Sequence, residues 1–536
     1  EGVAGAGAEK VGIAGALAVA NSESTTEASI GDEVRIGDID GGTRVGNVRV
    51  SADNTSKLAA KAWSAALAGK VGVGASIAVL VSDNTYRAWI GREAEVAAMS
   101  LEVAGRNHAI TGPAAFDWSL EGLKDRFTDA NLQLLLGQNN YYTETIAGAG
   151  SNQVAVTGAF SVNVFEDTTE AGIDADARVS TTGAVDLIAS NASTAKAFAG
   201  GISAAGKVGV GVASADIANE GVTRAALGAA ARIEQSSSIA IDASSTMDLA
   251  VIAASAGAAG TAGVSGVLSL ILSDNTVEAT AGNGSWLRSN GDIRIEAANT
   301  FDALGVAGVA GIGGTAGVGV SAGTFLIDNV TQAWAGQDAN LAAAGLITVA
   351  AGATQDVTSV VVGGAGGGTA GVAGSAAVNV YNPVTQAWIG KDARINAGLD
   401  GAALGTRALA VGASAHTELL SIVGTVGIGG TAGVGGAADV VVIDKETAAW
   451  LGEGVIARTG AALDITAVST EKIRSIGVGV SAGGTAGVQG SASVLVLDVA
   501  TLASAGAGSA LHSEGNLVIA AESDSDLDLL AGAIGA

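Results

Sequence analysis

Apolar and polar residues alternate with a period of two along most of this chain. The alternation comes in short runs bounded by Gly, Asp, Asn and Ser, as in Ser375–Tyr381 (S-A-A-V-N-V-Y), Ile293–Ile295 and Leu463–Ile465. A period of two places successive side chains on opposite faces of an extended backbone, so these runs predict β-strands rather than helices. Between them, Ser82-Asp83-Asn84-Thr85, Ser273-Asp274-Asn275-Thr276 and Ile327-Asp328-Asn329 have the composition of polar turns.

The strands recur in a fixed order. T-Q-A-W-A-G at Thr331–Gly336 returns as T-Q-A-W-I-G at Thr385–Gly390, T-A-A-W-L-G at Thr447–Gly452 and Y-R-A-W-I-G at Tyr86–Gly91, with weaker copies elsewhere. Alignment puts Ala28, Ala88, Ala171, Ala225, Ala279, Ala333, Ala387, Ala449 and Ala503 in one column, with successive separations of 60, 83, 54, 54, 54, 54, 62 and 54. Trp89, Trp334, Trp388 and Trp450 follow directly on four of these alanines. A second marker, G-T-A-G-V, begins at Gly260, Gly314, Gly368, Gly430 and Gly484, and G-K-V-G-V takes its place at Gly69 and Gly206.

A unit of this size cannot bury its own apolar face; stacking on a neighbour buries it and pairs the backbones. The expected fold is therefore all-β, a β-solenoid of the parallel β-helix type with about nine repeats of ~54 residues running through 1–536 as one body. Two or three coils per repeat, at ~4.8 Å each, predict a rod of roughly 85–130 Å.

Composition narrows the interior. Of 536 residues 81 are Gly and 2 are Pro, 48% are hydrophobic, and aromatics make up 3%, so the core is built from Ala, Val, Ile and Leu. High hydrophobicity argues against disorder. In Gly311–Val320 apolar side chains tend to alternate with Gly, which leaves one strand face nearly bare. A bare face lets a second backbone approach closely, either inside a flattened solenoid or between laterally packed fibres.

The intervals of 60 and 62 read as loop-sized insertions near Gly37–Gly46 and Leu399–Arg407. The interval of 83 holds the largest addition, placed within 112–145, where Leu120, Leu123, Phe127, Leu132, Leu135 and Leu136 are spaced roughly as on an amphipathic helix. Insertions in solenoids map to loops on one face, often the binding face. Trp118, Tyr141 and Tyr142 are the contact candidates there, against a packed decoration of one side of the stack.

Candidate chemistry is sparse. His108, His416 and His512 fall at unrelated places in the repeats, and charged residues, at 15%, are dispersed rather than grouped as acid–base catalysis on a β-helix requires. No enzyme is expected. A net charge of −26 disfavours nucleic acid as a partner. Without cysteine there are neither disulfides nor thiolate metal sites. Acidic residues recur at Asp83, Asp167, Asp274, Asp328, Asp444 and Asp498, so carboxylates are expected to stack along one edge. Asp83, Asp274, Asp328 and Asp444 are candidate ligands of a structural calcium, although Asp and Asn are also ordinary turn formers. No other cofactor is expected. Thr261, Thr315, Thr369, Thr431 and Thr485 form a column with one Thr per 54 residues, too sparse for an ice-binding ladder and better explained by inter-coil hydrogen bonding. Gly305–Gly323 is free of charge for 19 residues, but its Gly content and alternation make a poor membrane-spanning helix, and membrane insertion of this region is not expected.

Ala377–Ile395, A-V-N-V-Y-N-P-V-T-Q-A-W-I-G-K-D-A-R-I, resembles repeats of large filamentous adhesins of Gram-negative bacteria, especially the leukotoxin-like filamentous adhesin group and, more distantly, filamentous haemagglutinins. The likeness covers nearly the whole chain outside 112–145. It implies an extracellular or cell-surface rod, exported by a two-partner or autotransporter route and reaching towards host or neighbouring cells. No family binding residue carries over. Glu1 opens without a leader-like segment and Ala536 ends in mid-pattern, so the sequence reads as a slice of a longer chain. Two functions stay open: an adhesin stalk, and a self-assembling filament that polymerises through solenoid ends or Gly-rich faces, with self-association or neighbouring fibre subunits as partners.

Overall fold

The computed structural model describes residues 1–109, 139–399 and 403–536. Among the described residues there is no α-helix, and thirty strands form two all-parallel sheets of ten and twenty strands. The expected β-solenoid is the observed fold.

One coil shows how the sequence builds it. Ala316–Ala335 forms a 20-residue strand of the first sheet, a tight turn follows, and the chain returns through the second sheet as Asn340–Ala343 and Leu346–Gly367. Gly368 and Thr369 then turn it into the next coil, where Ala370 pairs in register with Ala316. The offset between paired residues is 370 − 316 = 54, one repeat. Each repeat therefore makes one coil, which corrects the expected two or three. Nine coils at about 4.8 Å span about 40 Å, whereas a 20-residue strand is about 65 Å long. These nine coils form a slab that is broader than it is tall, not a rod of 85–130 Å.

The discrepancy has a local cause. Ser82-Asp83-Asn84-Thr85 and its equivalents are not turns; they lie inside continuous strands such as Val71–Ile90 and Ala262–Ala281. Asp83 faces water, while Asn84 faces inward and donates to Ser82 Oγ at 2.8 Å and to Tyr141 Oη at 2.8 Å. Interior partners satisfy the amide N–H groups of Asn84 without a turn, whereas Asn329, at the same place in its coil, has no hydrogen-bond partner for its amide among the described residues. Proline leaves the only break in this sheet among the described residues. The chain interrupts its strand between Tyr381 and Val384, and Pro383, with no N–H to give, still accepts from Glu446 N at 3.0 Å.

The alanine column is a physical row. Ala28, Ala88, Ala171, Ala225, Ala279, Ala333, Ala387, Ala449 and Ala503 pair one to the next, pointing inward. They belong to the broad half of the slab, whose interior is Val, Ile, Leu and Ala and whose outside carries the charges. Turns on this side place one residue of each coil in the left-handed region: Glu33, Glu93, Asp176, Ala230, Gly284, Asp338, Asp392, Gly454 and Gly508, with φ between 54° and 73°.

The narrow half inverts the pattern. In Ala316–Ala335 the inward positions next to the turn are Gly317, Gly319, Ser321 and Gly323, while Val318 and Val320 face out. Val320 and Ile312 remain 52% and 57% exposed. The bare strand face is thus internal: a Cβ on Gly311 would sit 1.9 Å from the Val318 carbonyl oxygen of the opposite sheet. The two sheets close to backbone contact and push their large side chains outward.

All three insertions fall between strands. Residues 37–44 form a small loop with an antiparallel bridge between Asp38 and Thr43, and residues 396–407 connect two strands of the second sheet. The largest enters between Asn107 and Tyr141, opposite Ala192–Thr194 of the next coil, where the chain is one uninterrupted strand. Since Tyr141–Ser151 is a solenoid strand, the inserted span stops short of 145. The helix-like spacing from Leu120 to Leu136 lies outside the described residues.

Candidate functional site

Four tryptophans follow inward alanines and therefore face outward on the first sheet. Trp334, Trp388 and Trp450 occupy adjacent coils and stack, with ring centroids 5.7 and 4.9 Å apart and planes 11° and 2° from parallel. Trp89 lies under the Arg87 guanidinium at 4.7 Å. The indoles are half-buried, so the stack ties coils together and also presents ring edges at the surface.

Asp83, Asp274, Asp328 and Asp444 share one outward row. In register it runs Glu23, Asp83, Glu166, Glu220, Asp274, Asp328, and later Asp444 and Asp498, with Asn382 between and donating to Asp328 Oδ1 at 2.6 Å. Asp167 does not join them, because Glu166 takes the outward position. The row offers a cation one carboxylate per coil and from one side, short of the six to eight oxygens of a calcium site. Among the described residues no group of three or more acidic or histidine side chains converges as a metal site.

Tyr141 faces the interior, whereas Tyr142, one residue on, takes an outward position and is nonetheless buried there. Tyr141 is fully buried, stacks on Phe165 at 4.5 Å and donates to Asp167 Oδ1 at 2.6 Å. Tyr142 donates to Glu144 at 2.7 Å beneath the Lys61 ammonium. Burial and then the neighbouring carboxylate push both phenols well above their ordinary range. Trp118 lies outside the described residues. His108 pairs loosely with Asp53 at 3.8 Å, His416 lines a shallow depression of about 300 Å³ on the second sheet, and His512 lies in the short strand Ala510–Ser513. The three are not brought together.

The thin interior holds charged residues that the repeat pattern alone does not announce. Asp167 accepts from Tyr141, from Asn84 at 3.0 Å and from Ser193 at 2.8 Å. Asp439 accepts from Ser421 at 2.8 Å and Ser475 at 2.5 Å, and burial raises its pKa. Lys445 reaches Glu471 at 2.8 Å and the Ala415 carbonyl at 3.1 Å. A signal for them existed: Asp167 and Lys445 each lie four residues before an inward alanine, an even spacing that turns them inward as well. Their partners are mostly serines and carbonyls, and the arrangement is a set of closed hydrogen-bond groups rather than an open site.

At the narrow edge the same turn position holds Lys10, Lys70, Gln153, Lys207 and then Thr261, Thr315, Thr369, Thr431 and Thr485, all exposed except the half-buried Gln153. Their backbones form a ladder, for instance Thr315 N to Thr261 O at 2.9 Å and Thr369 N to Thr315 O at 2.8 Å. One coil per repeat brings these threonines to the inter-coil spacing, which removes the reason for calling them sparse; they form a single file.

Among the described residues no helix is long and apolar enough to cross a membrane. No protein-family profile, no curated protein and no solved structure matches this chain.

Proposed function

We propose that this chain is a shaft segment of an extracellular bacterial surface fibre, a stalk that spaces an adhesive module from the cell, and that it has no catalytic role. The observation that carries this reading is the uninterrupted register of the alanine column through nine coils. A stack that adds one identical coil per repeat lengthens without changing its cross-section, which suits a spacer. The adhesive and extracellular parts are supported by the resemblance of Ala377–Ile395 to filamentous adhesin repeats and by the lack of cysteine. No cofactor enters this reading. Calcium held along the carboxylate row would appear as a rise in melting temperature with Ca²⁺ that Mg²⁺ does not reproduce.

The second reading, a filament that self-assembles, is supported by the parallel stacking itself, since any uncapped end of such a stack offers unpaired strand edges. Negative-stain microscopy of the purified chain separates the two: discrete bodies about 65 Å across support the stalk, and long fibres support the filament. Clear turnover of a polysaccharide would overturn both.

A further inference from the structure

A polar seam crosses the interior between the two apolar cores. It runs through Asn275, Asn329 and Lys445 in the first sheet and Asn299, Gln355 and Glu471 in the second, each at most 2% exposed. On one side of its middle, Asn275 donates to Ser245 Oγ and Asn299 Oδ1, both at 3.2 Å. On the other side, Lys445 meets Glu471 at 2.8 Å. In the middle the pairing stops: Asn329 Nδ2 and Oδ1, Gln355 Nε2 and Oε1, and Asn299 Nδ2 have no hydrogen-bond partner among the described residues. We propose that these atoms line a buried site for ordered water. The site lies in the interior and does not rest on the stalk reading.

The register brings these atoms together. Asn329 takes in its coil the place that Asn275 has one coil earlier, and the places of Ser245 and Asn299 are taken by Asn299 and Ala353. Gln355 stands in the row of Glu471, two coils before it, as Asn329 stands in the row of Lys445. Asn329 therefore has Gln355 beside it, and Asn299 on the side where Asn275 has Ser245. Where Asn275 finds its second acceptor, Asn329 meets only the methyl group of Ala353. The missing carboxamide frees about the volume of one water molecule, roughly 30 Å³. The sheets do not close over this space, because Asn275 with Asn299 and Lys445 with Glu471 span the same gap on either side.

The mixture of atoms identifies the occupant. Amide nitrogens donate and amide oxygens accept. A cation would engage the oxygens alone and an anion the N–H groups alone, and either would be a buried charge that these three neutral side chains do not compensate. Water does both. It donates to the oxygens of Asn329 and Gln355 and accepts from a nitrogen of either or of Asn299, which reaches the about three bonds usual for a buried water. Buried polar groups that find no partner in the protein are satisfied in this way, and Asn329 keeps its place in a continuous strand.

Crystallography of the full chain, at a resolution that shows ordered water, is expected to reveal a density peak about 2.7–3.2 Å from amide atoms of both Asn329 and Gln355. Direct bonding between those two amides, with no peak beside them, overturns the proposal. Two substitutions at Ala353 test it in solution. Ala353→Asn restores the acceptor that Asn299 gives Asn275, and is expected to replace the water and melt no lower than wild type. Ala353→Leu has a similar size but no polar atom; it is expected to expel the water, strand the amides and melt below both. An Ala353→Asn chain that melts as far below wild type as Ala353→Leu shows an interior already full and overturns the site. An Ala353→Leu chain that melts with wild type shows that the amides need no partner, and overturns it as well.

Discussion

Lys445 Nζ lies 2.8 Å from a Glu471 carboxylate oxygen, and neither side chain has any solvent exposure. Two strands on opposite sides of the thin interior are joined by this pair, and the hydroxyls of Ser469 and Ser525 donate to the same carboxylate. Burial alone would neutralise the lysine, whose pKa is lowered. The glutamate's is lowered too, because hydrogen bonds from Lys445 and the serines outweigh its desolvation.

Removing one partner should therefore cost far more than removing both. Glu471→Gln is expected to lose roughly 3–5 kcal/mol, as breaking a buried pair leaves an uncompensated charge, whereas Lys445→Met with Glu471→Met should recover most of that loss. In a stacked array the damage is local. Hydrogen exchange of Ala432–Leu451 and Leu463–Gly483 should accelerate in the single variant and return towards wild type in the double one. Equal acceleration in both variants would count against a structural ion pair.

A second contrast lies within one strand. A side chain at Gly311 would enter the opposite backbone, but at Gly308 a Cβ meets nothing within 4 Å. Gly311→Val is expected to destabilise by about 1–3 kcal/mol or more, the cost of overpacking. Gly308→Val should change stability by roughly 0.5 kcal/mol or less, as at other open surface sites. Thermal melts of the two variants decide whether the sheets meet where the glycines are.

Left-handed turns offer a stabilising change. Ala230 has φ 54°, and at the same turn position Gly284, Gly454 and Gly508 have φ 66°, 69° and 73°. A Cβ in this region costs roughly 1–2 kcal/mol, partly offset by the greater unfolded-state freedom of Gly. Ala230→Gly should raise stability by roughly 0.5–1 kcal/mol, measured as a higher unfolding midpoint in urea; an unchanged or lower midpoint would refute the strain.

The repeat, its period and the alanine column were legible in the sequence because identical coils pair identical positions, so the spacing of residues is the register of the sheet. The coil count was not. Asp and Asn inside a strand look like a turn until their neighbours are in place: Asn275 is acceptable because Ser245 Oγ and Asn299 Oδ1 accept from its amide at 3.2 Å, and both come from the other sheet. The inversion of the narrow half was half legible. Alternating Val and Gly announced one bare face, but only the opposing strand decides that the bare face is inside. The buried charges were hidden for the same reason, since each is satisfied by residues far away in the chain: Asp439 by Ser421 and Ser475, Asp167 by Tyr141 and Ser193.

Acid should stabilise the second sheet. Asp302 stands between Asp248 and Asp356 in one outward row, in register with both. Desolvation, then the two flanking carboxylates, push it up to about 6. A carboxyl whose folded pKa lies above its unfolded value near 4 binds its proton more tightly in the folded state. Stability then falls as pH rises from about 4 through about 6 and is regained on acidification. The melting temperature should rise between pH 7 and pH 5. Asp302→Asn should raise it at pH 7, since the mid-row charge is gone, and flatten the pH dependence over that range. A variant that melts lower than wild type at pH 7 would show that the carboxylate is held by a favourable partner rather than crowded by its neighbours.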